Sequence, residues 1–139
     1  MRLIVLLGRV LFSAIFIKSS IMHFSSSTIQ YAADHGIPAA SFLIPVWGVI
    51  GLLGGLSVLL GYQAKAGGWL LVVFLLPITF ILHKFCNFQD MGSRMVYHSM
   101  FMKNLSMIGA ALMITYFGSG PFSLEHPIHK VKKKKRARR

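Results

Sequence analysis

The sequence is poor in acidic residues and contains a single cysteine. Its 139 residues include 3 Asp or Glu against 15 Lys or Arg. Cys86 alone can form neither an internal disulfide nor a C-x-x-C pair, which excludes oxidoreductases that relay electrons through paired thiols. The apolar segments contain no carboxylate, which argues against proton-coupled cation export, and no Walker loop, Ser-His-Asp arrangement or paired-carboxylate motif is present.

Charged residues of either sign are also scarce. They make up 13% of the chain, whereas 55% of residues are hydrophobic and the mean hydropathy is +0.64. Soluble domains carry about 25% charged residues, so the composition indicates an integral membrane protein. The length allows roughly four helical crossings and leaves no room for a separate soluble catalytic domain.

The segment from Ala39 to Gly61 has no charged side chain and is long enough to cross the ~30 Å hydrocarbon core of a bilayer as one helix. Three further apolar segments predict an all-α polytopic membrane protein, an antiparallel bundle of four transmembrane helices. The predicted domain covers residues 1–124, with spans at about 3–24, 39–62, 69–85 and 99–117, and residues 125–139 form a basic tail.

The connections and the glycines suggest how these spans are joined. Ser25–Pro38 reads as an exposed loop with a short interfacial helix around Ile29–Ala33, and Cys86–Met100 reads as a polar connection. Pro77 predicts a kink in the third span. Small residues allow helices to approach closely, so we expect the face of the second span that carries a G-x-x-x-G pair to pack against small residues of the fourth span. The residues concerned are Gly51, Gly55 and Gly109.

The first span contains two basic residues. A signal peptide is the competing interpretation, but Arg9 interrupts the apolar core and no small-x-small cleavage pattern follows closely, which favours a retained span. Lys18 can extend toward the nearer interface. Arg9 lies deeper, so we expect it to be a buried charge that faces other helices or a polar cavity, or to pair with a lipid phosphate.

The basic tail sets the predicted orientation. Because loops rich in Lys and Arg remain in the cytoplasm, Lys130–Arg139 places the C-terminus inside, and four spans place the N-terminus there too. A basic segment beside a membrane is expected to contact anionic lipid headgroups or to act only in orienting the chain, and nucleic acid is the less favoured partner. The headgroup contacts would come from Lys132, Lys133, Lys134, Lys135 and Arg136.

Several polar residues fall near one predicted face of the membrane. Three acidic residues cannot neutralise every basic side chain, so an anion or a quinone-like ligand could bind among them. The candidate ligand-binding residues are Lys18, His23, His83, His98, Lys103 and Asn104. Their spacings match no compact metal motif, and no metal site is predicted. The alternative is that the histidines are interfacial and contact only water and headgroups.

These segments resemble the DoxX family of small four-helix bacterial membrane proteins from Leu6 to Leu124. The similarity lies in LLGRVLFSAIFIKSSIMHF, the HGIP loop, GLLGGLSVLLGYQAK, and KNLSMIGAALMITYFGSGPFSL, whose Lys103-Asn104 pair and GSGPFSL end are the more specific parts. Members often have a glutamate where this chain has Gly51, and an aspartate where it has Glu125. A mechanism based on a membrane carboxylate is therefore not expected here.

The resemblance implies a bacterial inner membrane location and an association with redox or stress chemistry. The preferred hypothesis is a non-catalytic accessory subunit of a membrane redox complex, linked to quinone or to thiol and sulfur chemistry, or of a stress-response complex. The alternative is a quinone-linked oxidoreductase or small-solute carrier in its own right, with a quinone as the candidate cofactor. Membrane lipids and other membrane subunits or further copies of the chain are the expected partners.

Overall fold

A computed structural model of the chain describes residues 2–82 and 90–125, and within them the secondary structure is helical. Four helices are long and apolar enough to cross a membrane, which confirms the predicted four-helix membrane bundle. The elements are α1 (Arg2–Met22), α2 (Ser26–Asp34), α3 (Ala40–Leu60), α4 (Ala64–Pro77), a π-helical segment (Ile78–Leu82) that continues α4, and α5 (Met91–Phe117).

The long helices pack in a sequence of neighbours. α3 lies between α1 and α4, and α5 packs against α4. The bundle has two ends, which we call the terminal end and the α2 end. The terminal end contains the start of α1, the α3–α4 turn and the end of α5. The α2 end contains α2 and the start of α5. Apolar side chains from all four long helices form the core: Phe16, Val58, Leu71, Val72, Phe74, Leu75, Ile108 and Ala111.

The start of α5 differs from the sequence prediction. Residues from Met91 onward are helical, whereas the sequence predicted a polar connection up to Met100. Asp90 is the N-cap, and its carboxylate accepts a hydrogen bond of 2.7 Å from the backbone N–H of Ser93. This hydrogen bond lowers the pKa of Asp90. The first turns of α5 therefore contain polar residues although they are helical. A hydropathy pattern counts only the apolar part of the helix and so underestimates the length of α5.

The third crossing begins earlier than predicted, at Ala64. Gly61 ends α3 in the left-handed conformation, and the next helix starts after a two-residue turn. Gly67 and Gly68 precede the predicted start of this span at residue 69, but they lie inside α4 and are buried. A Cβ on Gly67 would come within 2.7 Å of the Ser57 Cβ, so glycine allows α4 to approach α3 closely.

The glycine contacts also differ from the prediction. A Cβ on Gly51 would overlap Ser20 of α1 and the Phe74 ring of α4, and one on Gly55 would come within 3.3 Å of Phe16 on α1. The glycine face of α3 therefore receives α1 and α4 rather than α5. Gly109 is exposed, and a Cβ added there would meet no described atom within 4 Å, so the predicted packing of Gly109 against α3 was wrong.

The short helix before α3 is longer than predicted. α2 runs from Ser26 to Asp34, and the Ser25 side chain caps it by accepting from the backbone N–H of Thr28. Its buried Ala32 packs with Ala40 and Ile44 of α3. At the α2 end the Tyr31 hydroxyl lies 3.2 Å from the Tyr97 hydroxyl, so α2 bridges from α3 to α5.

Candidate functional site

A cavity of about 250 Å³, the α1–α5 cavity, lies between α1, α4 and α5 toward the α2 end. It exists because α1 packs against α3 and α5 packs against α4, so that α1 and α5 do not close on each other along this stretch. Phe16, Phe74 and Ile78 form part of its apolar wall. Its polar wall brings together three of the predicted ligand-binding residues, Lys18 from α1 and Lys103 and Asn104 from α5.

Asn104 is the buried polar group of this cavity. The residue is 5% exposed, and its side chain belongs to the wall of the cavity. An asparagine amide offers an oxygen acceptor and an NH₂ donor. A bound polar group that reached Asn104 through the cavity would meet both a hydrogen-bond donor and an acceptor.

Lys18 and Lys103 give the cavity its charge. Both side chains are exposed at its rim, and the described residues that line the cavity include no carboxylate. The charges come from two helices, so a group between them could meet both ammonium ions. Such an arrangement is suited to an anion or to the carbonyl oxygens of a neutral headgroup.

The histidines do not join this set. His23 lines a second cavity. His98 is exposed on α5 and lines neither this second cavity nor the α1–α5 cavity. His83 lies outside the described residues, as do the predicted headgroup contacts of the tail, Lys132 to Arg136. Within the described parts of the chain, no three His, Cys, Asp or Glu side chains come together in a way that could hold a metal ion.

The second cavity, the α2 cavity, has a volume of about 300 Å³ and lies under the loop between α2 and α3. His23, Trp47 and Pro77 belong to its wall. His23 Nδ1 donates to the Ser19 carbonyl oxygen at 2.8 Å, because a carbonyl can only accept. The imidazole packs against the Phe74 ring at 5.3 Å between centroids.

Trp47 was not predicted as a site residue. Its Nε1–H donates to the Phe74 carbonyl oxygen at 3.1 Å. This oxygen is free to accept the indole hydrogen because the backbone N–H of Ile78 donates to the Leu75 carbonyl oxygen instead. The break in the α-helical pattern follows Pro77, which has no N–H to donate. Pro77 was thus the sequence feature that could have indicated this cavity wall, but only a kink was predicted from it.

Arg9 occupies a third polar position, at the terminal end. The residue is 6% exposed, and its Nη2 donates to the Phe122 carbonyl oxygen. Within the described residues, Nε and Nη1 have no hydrogen-bond partner. A Cβ on Gly61 would overlap Nη1, so the guanidinium fits against the end of α3 only because that residue is glycine.

The segment after α5 closes the same end of the bundle. The backbone N–H groups of Leu124 and Glu125 donate to the carbonyl oxygens of Leu60 and Gly61, each at 3.2 Å. A Cβ on Gly120 would come within 2.9 Å of Val5 on α1. The start of α1 and residues 118–125 therefore lie on one side of the bundle.

Comparison with known proteins agrees with these features. The DoxX family model matches residues 4–84, which is more than half of the chain. The chain belongs to the DoxX family. The matched part of this DoxX protein covers α1 to α4 and most of the two cavity walls, whereas Lys103 and Asn104 lie beyond it.

One curated relative extends the similarity over nearly the whole DoxX chain. The chain is similar to the inner membrane protein YqjF of Escherichia coli (strain K12), with 28% identity over 128 residues. The aligned region covers 91% of this chain and 92% of the relative, and therefore includes α5. No solved structure matches the chain.

Proposed function

We propose that this DoxX protein binds an anionic or quinone-like headgroup in the α1–α5 cavity and does so as a small subunit of a membrane redox or stress-response assembly. The observation that carries the proposal is the nearly buried Asn104 beside Lys18 and Lys103 in the wall of one cavity. Ammonium groups in or near hydrocarbon are costly without a counter-charge, and a bound anion reduces that cost.

The ligand would enter from the membrane. Lys18 and Lys103 are exposed at the rim, while Phe16, Phe74 and Ile78 offer an apolar surface to the first carbons of a tail. A headgroup attached to an apolar tail matches this combination, because its polar part meets the two lysines and its tail remains in lipid. A free inorganic anion would use only the polar half of the wall.

The test uses the full chain in detergent and two probes, dodecyl phosphate and decylbenzoquinone, with affinity measured by calorimetry. A charge-assisted hydrogen bond contributes about 1.5–3 kcal/mol, so the double variant Lys18→Gln, Lys103→Gln should bind dodecyl phosphate at least about tenfold more weakly. Asn104→Leu should weaken both probes. Lys65→Gln is the matched control, since Lys65 lies on α4 at the terminal end, beside Gly118. Unchanged affinity in the double variant and in Asn104→Leu would remove the proposal.

A role as a subunit is supported by the side of α5 that faces away from α4. Ser106 and Gly109 are exposed there, and small residues allow another helix to approach. We expect a crosslinker placed at residue 109 in native membranes to capture another membrane protein or a second copy of the chain. The matched control is residue 53, exposed on α3. Equal and weak crosslinking at both positions would argue for an isolated bundle.

The proposed location is a bacterial inner membrane, with both termini in the cytoplasm. Support comes from the relative YqjF, an inner membrane protein, and from the basic segment Lys130–Arg139. The start of α1 and residues 118–125 share one end of the bundle, so the orientation of one terminus implies that of the other. Alkaline phosphatase fused to either terminus should be inactive, and green fluorescent protein fused to either terminus should be fluorescent. The opposite pattern would show that both termini lie outside the cytoplasm.

The tail is proposed to contact anionic headgroups through Lys132 to Arg136. Each basic residue near an anionic surface contributes about 1 kcal/mol. A synthetic peptide of residues 126–139 should therefore bind phosphatidylglycerol vesicles much more tightly than phosphatidylcholine vesicles, and added salt should weaken the difference. Equal binding to both vesicles would leave the tail only a role in orienting the chain.

A further inference from the structure

The α2 cavity is separate in chemistry from the α1–α5 cavity. Its described wall contains no charged residue, and the side chains of Ile37, Leu43, Ile44 and Ile81 make most of it apolar. The two cavities share Ile78, with the Phe74 ring packed between His23 and Phe16. An anionic group would find no counter-charge among the described residues of this wall, so the two cavities favour different ligands.

The described side chains that line the α2 cavity have polar atoms at His23 and Trp47, and each of these residues already makes one hydrogen bond. The Trp47 Nε1–H donates a hydrogen bond to the Phe74 carbonyl oxygen, and the His23 Nδ1–H donates one to the Ser19 carbonyl oxygen. In the uncharged imidazole, donation from Nδ1 leaves Nε2 as a hydrogen-bond acceptor. Among the described side chains that line the cavity, His23 Nε2 is therefore the acceptor that a ligand can use, in an apolar surrounding.

The wall is also formed by irregular backbone. The π-helical segment that follows Pro77 contributes Ile78 and Ile81, and π-helical turns occur frequently at functional sites. Ile81 is about half exposed and Leu43 more than a third, so the cavity opens toward the surroundings of the bundle, which in a membrane are lipid. A ligand can enter without crossing water.

We propose that the α2 cavity binds an uncharged, largely apolar molecule that carries one hydroxyl group, such as a phenol, with His23 Nε2 accepting the hydroxyl hydrogen. The Trp47 indole and the isoleucine side chains contact the apolar body of the molecule. This site is independent of the proposed anion site, because neither Lys18 nor Lys103 lines it.

The test compares two probes that differ in one donor, 4-bromophenol and 4-bromoanisole. The sequence contains two tryptophans, so the variant Trp69→Phe of the full chain retains only Trp47. A bromine atom in contact with the Trp47 indole quenches the fluorescence of that indole, which reports binding. One hydrogen bond contributes about 0.5–1.5 kcal/mol, so the affinity ratio of phenol to anisole should be about fivefold larger with His23 than with His23→Phe. Comparing the ratios cancels the partition of each probe into detergent.

A second pair of variants tests the position of the site. Leu43→Phe narrows the α2 cavity and should weaken both probes, whereas Leu53→Phe, on an exposed part of α3, should leave both unchanged. The double variant Lys18→Gln, Lys103→Gln should also leave both unchanged. An affinity ratio that does not depend on His23 would overturn the proposal and favour a lipid chain as the occupant. Quenching unaffected by Leu43→Phe would overturn it as well.

Discussion

The guanidinium of Arg9 in α1 donates to the carbonyl oxygen of Phe122, a residue 113 positions later in the chain. The contact lies at the terminal end, where Leu124 and Glu125 also pair with the last carbonyls of α3. A buried charge and an irregular segment thus stabilise each other. The segment 118–125 covers an arginine that would otherwise be exposed to lipid, and Arg9 holds the segment against the bundle.

Replacing Arg9 should release this segment. We expect Arg9→Ala to destabilise the terminal end by about 2 kcal/mol, through the lost hydrogen bond and the space left behind. Limited chymotrypsin digestion should cut after Phe122 several times faster in the variant. Lys18→Ala is the matched control, because it removes a basic residue of the same helix whose side chain is exposed. Equal cleavage in the two variants would contradict the structural role of Arg9.

The glycines of α3 and α5 differ in a way that can be measured. A side chain at Gly51 meets Ser20 and the Phe74 ring, whereas one at Gly109 meets open space. Overpacking a core costs about 1–3 kcal/mol, so Gly51→Val should lower the midpoint of thermal unfolding in detergent, and Gly109→Val should not. Circular dichroism gives both midpoints. A drop with Gly109→Val in native membranes but not in detergent would indicate that a partner helix covers this face.

The number of crossings could be predicted from the sequence, but not which helices are neighbours. Apolar runs of membrane-spanning length identify four spans. The packing of α1 on the glycine face depends on the fit of Ser20 and Phe74 to Gly51, and a small residue at Gly109 gives the same local signal without a partner. The start of α5 was missed because the Asp90 cap and the polar residues after it look like a loop.

The candidate site shows a similar division. Antiparallel crossing places the end of α1 beside the start of α5, which is why Lys18, Lys103 and Asn104 could be grouped from the sequence. His23 lies five residues after Lys18, roughly 140° around the helix axis, so it faces the other cavity. The contact of Arg9 with Phe122 could not be predicted, because no local pattern specifies the path of residues 118–125.

Trp47 connects α3 to the irregular backbone of α4. We expect Trp47→Phe to cost about 1 kcal/mol in unfolding free energy, because the Phe74 carbonyl loses its hydrogen bond from the indole. Amide exchange by mass spectrometry should increase in peptides that cover residues 74–82. Trp69→Phe is the control, since Trp69 is exposed near the start of α4. Unchanged exchange in residues 74–82 would show that the π-helical segment does not depend on Trp47.

The two tyrosines at the α2 end give a prediction for alkaline pH. The hydrogen bond with Tyr97, together with burial and the nearby Tyr97 charge, raises the pKa of Tyr31 to about 12. Because the folded pKa lies above the unfolded value of about 10, the stabilisation is complete below pH ~10 and is lost as the pH rises through 12. In a Tyr62→Phe, Tyr116→Phe background, the absorbance of tyrosinate should include a group that titrates near pH 12. Adding Tyr97→Phe should bring the titration of Tyr31 back toward 10. A Tyr31 titration that is the same with and without Tyr97 would show that the hydroxyl contact between α2 and α5 does not form.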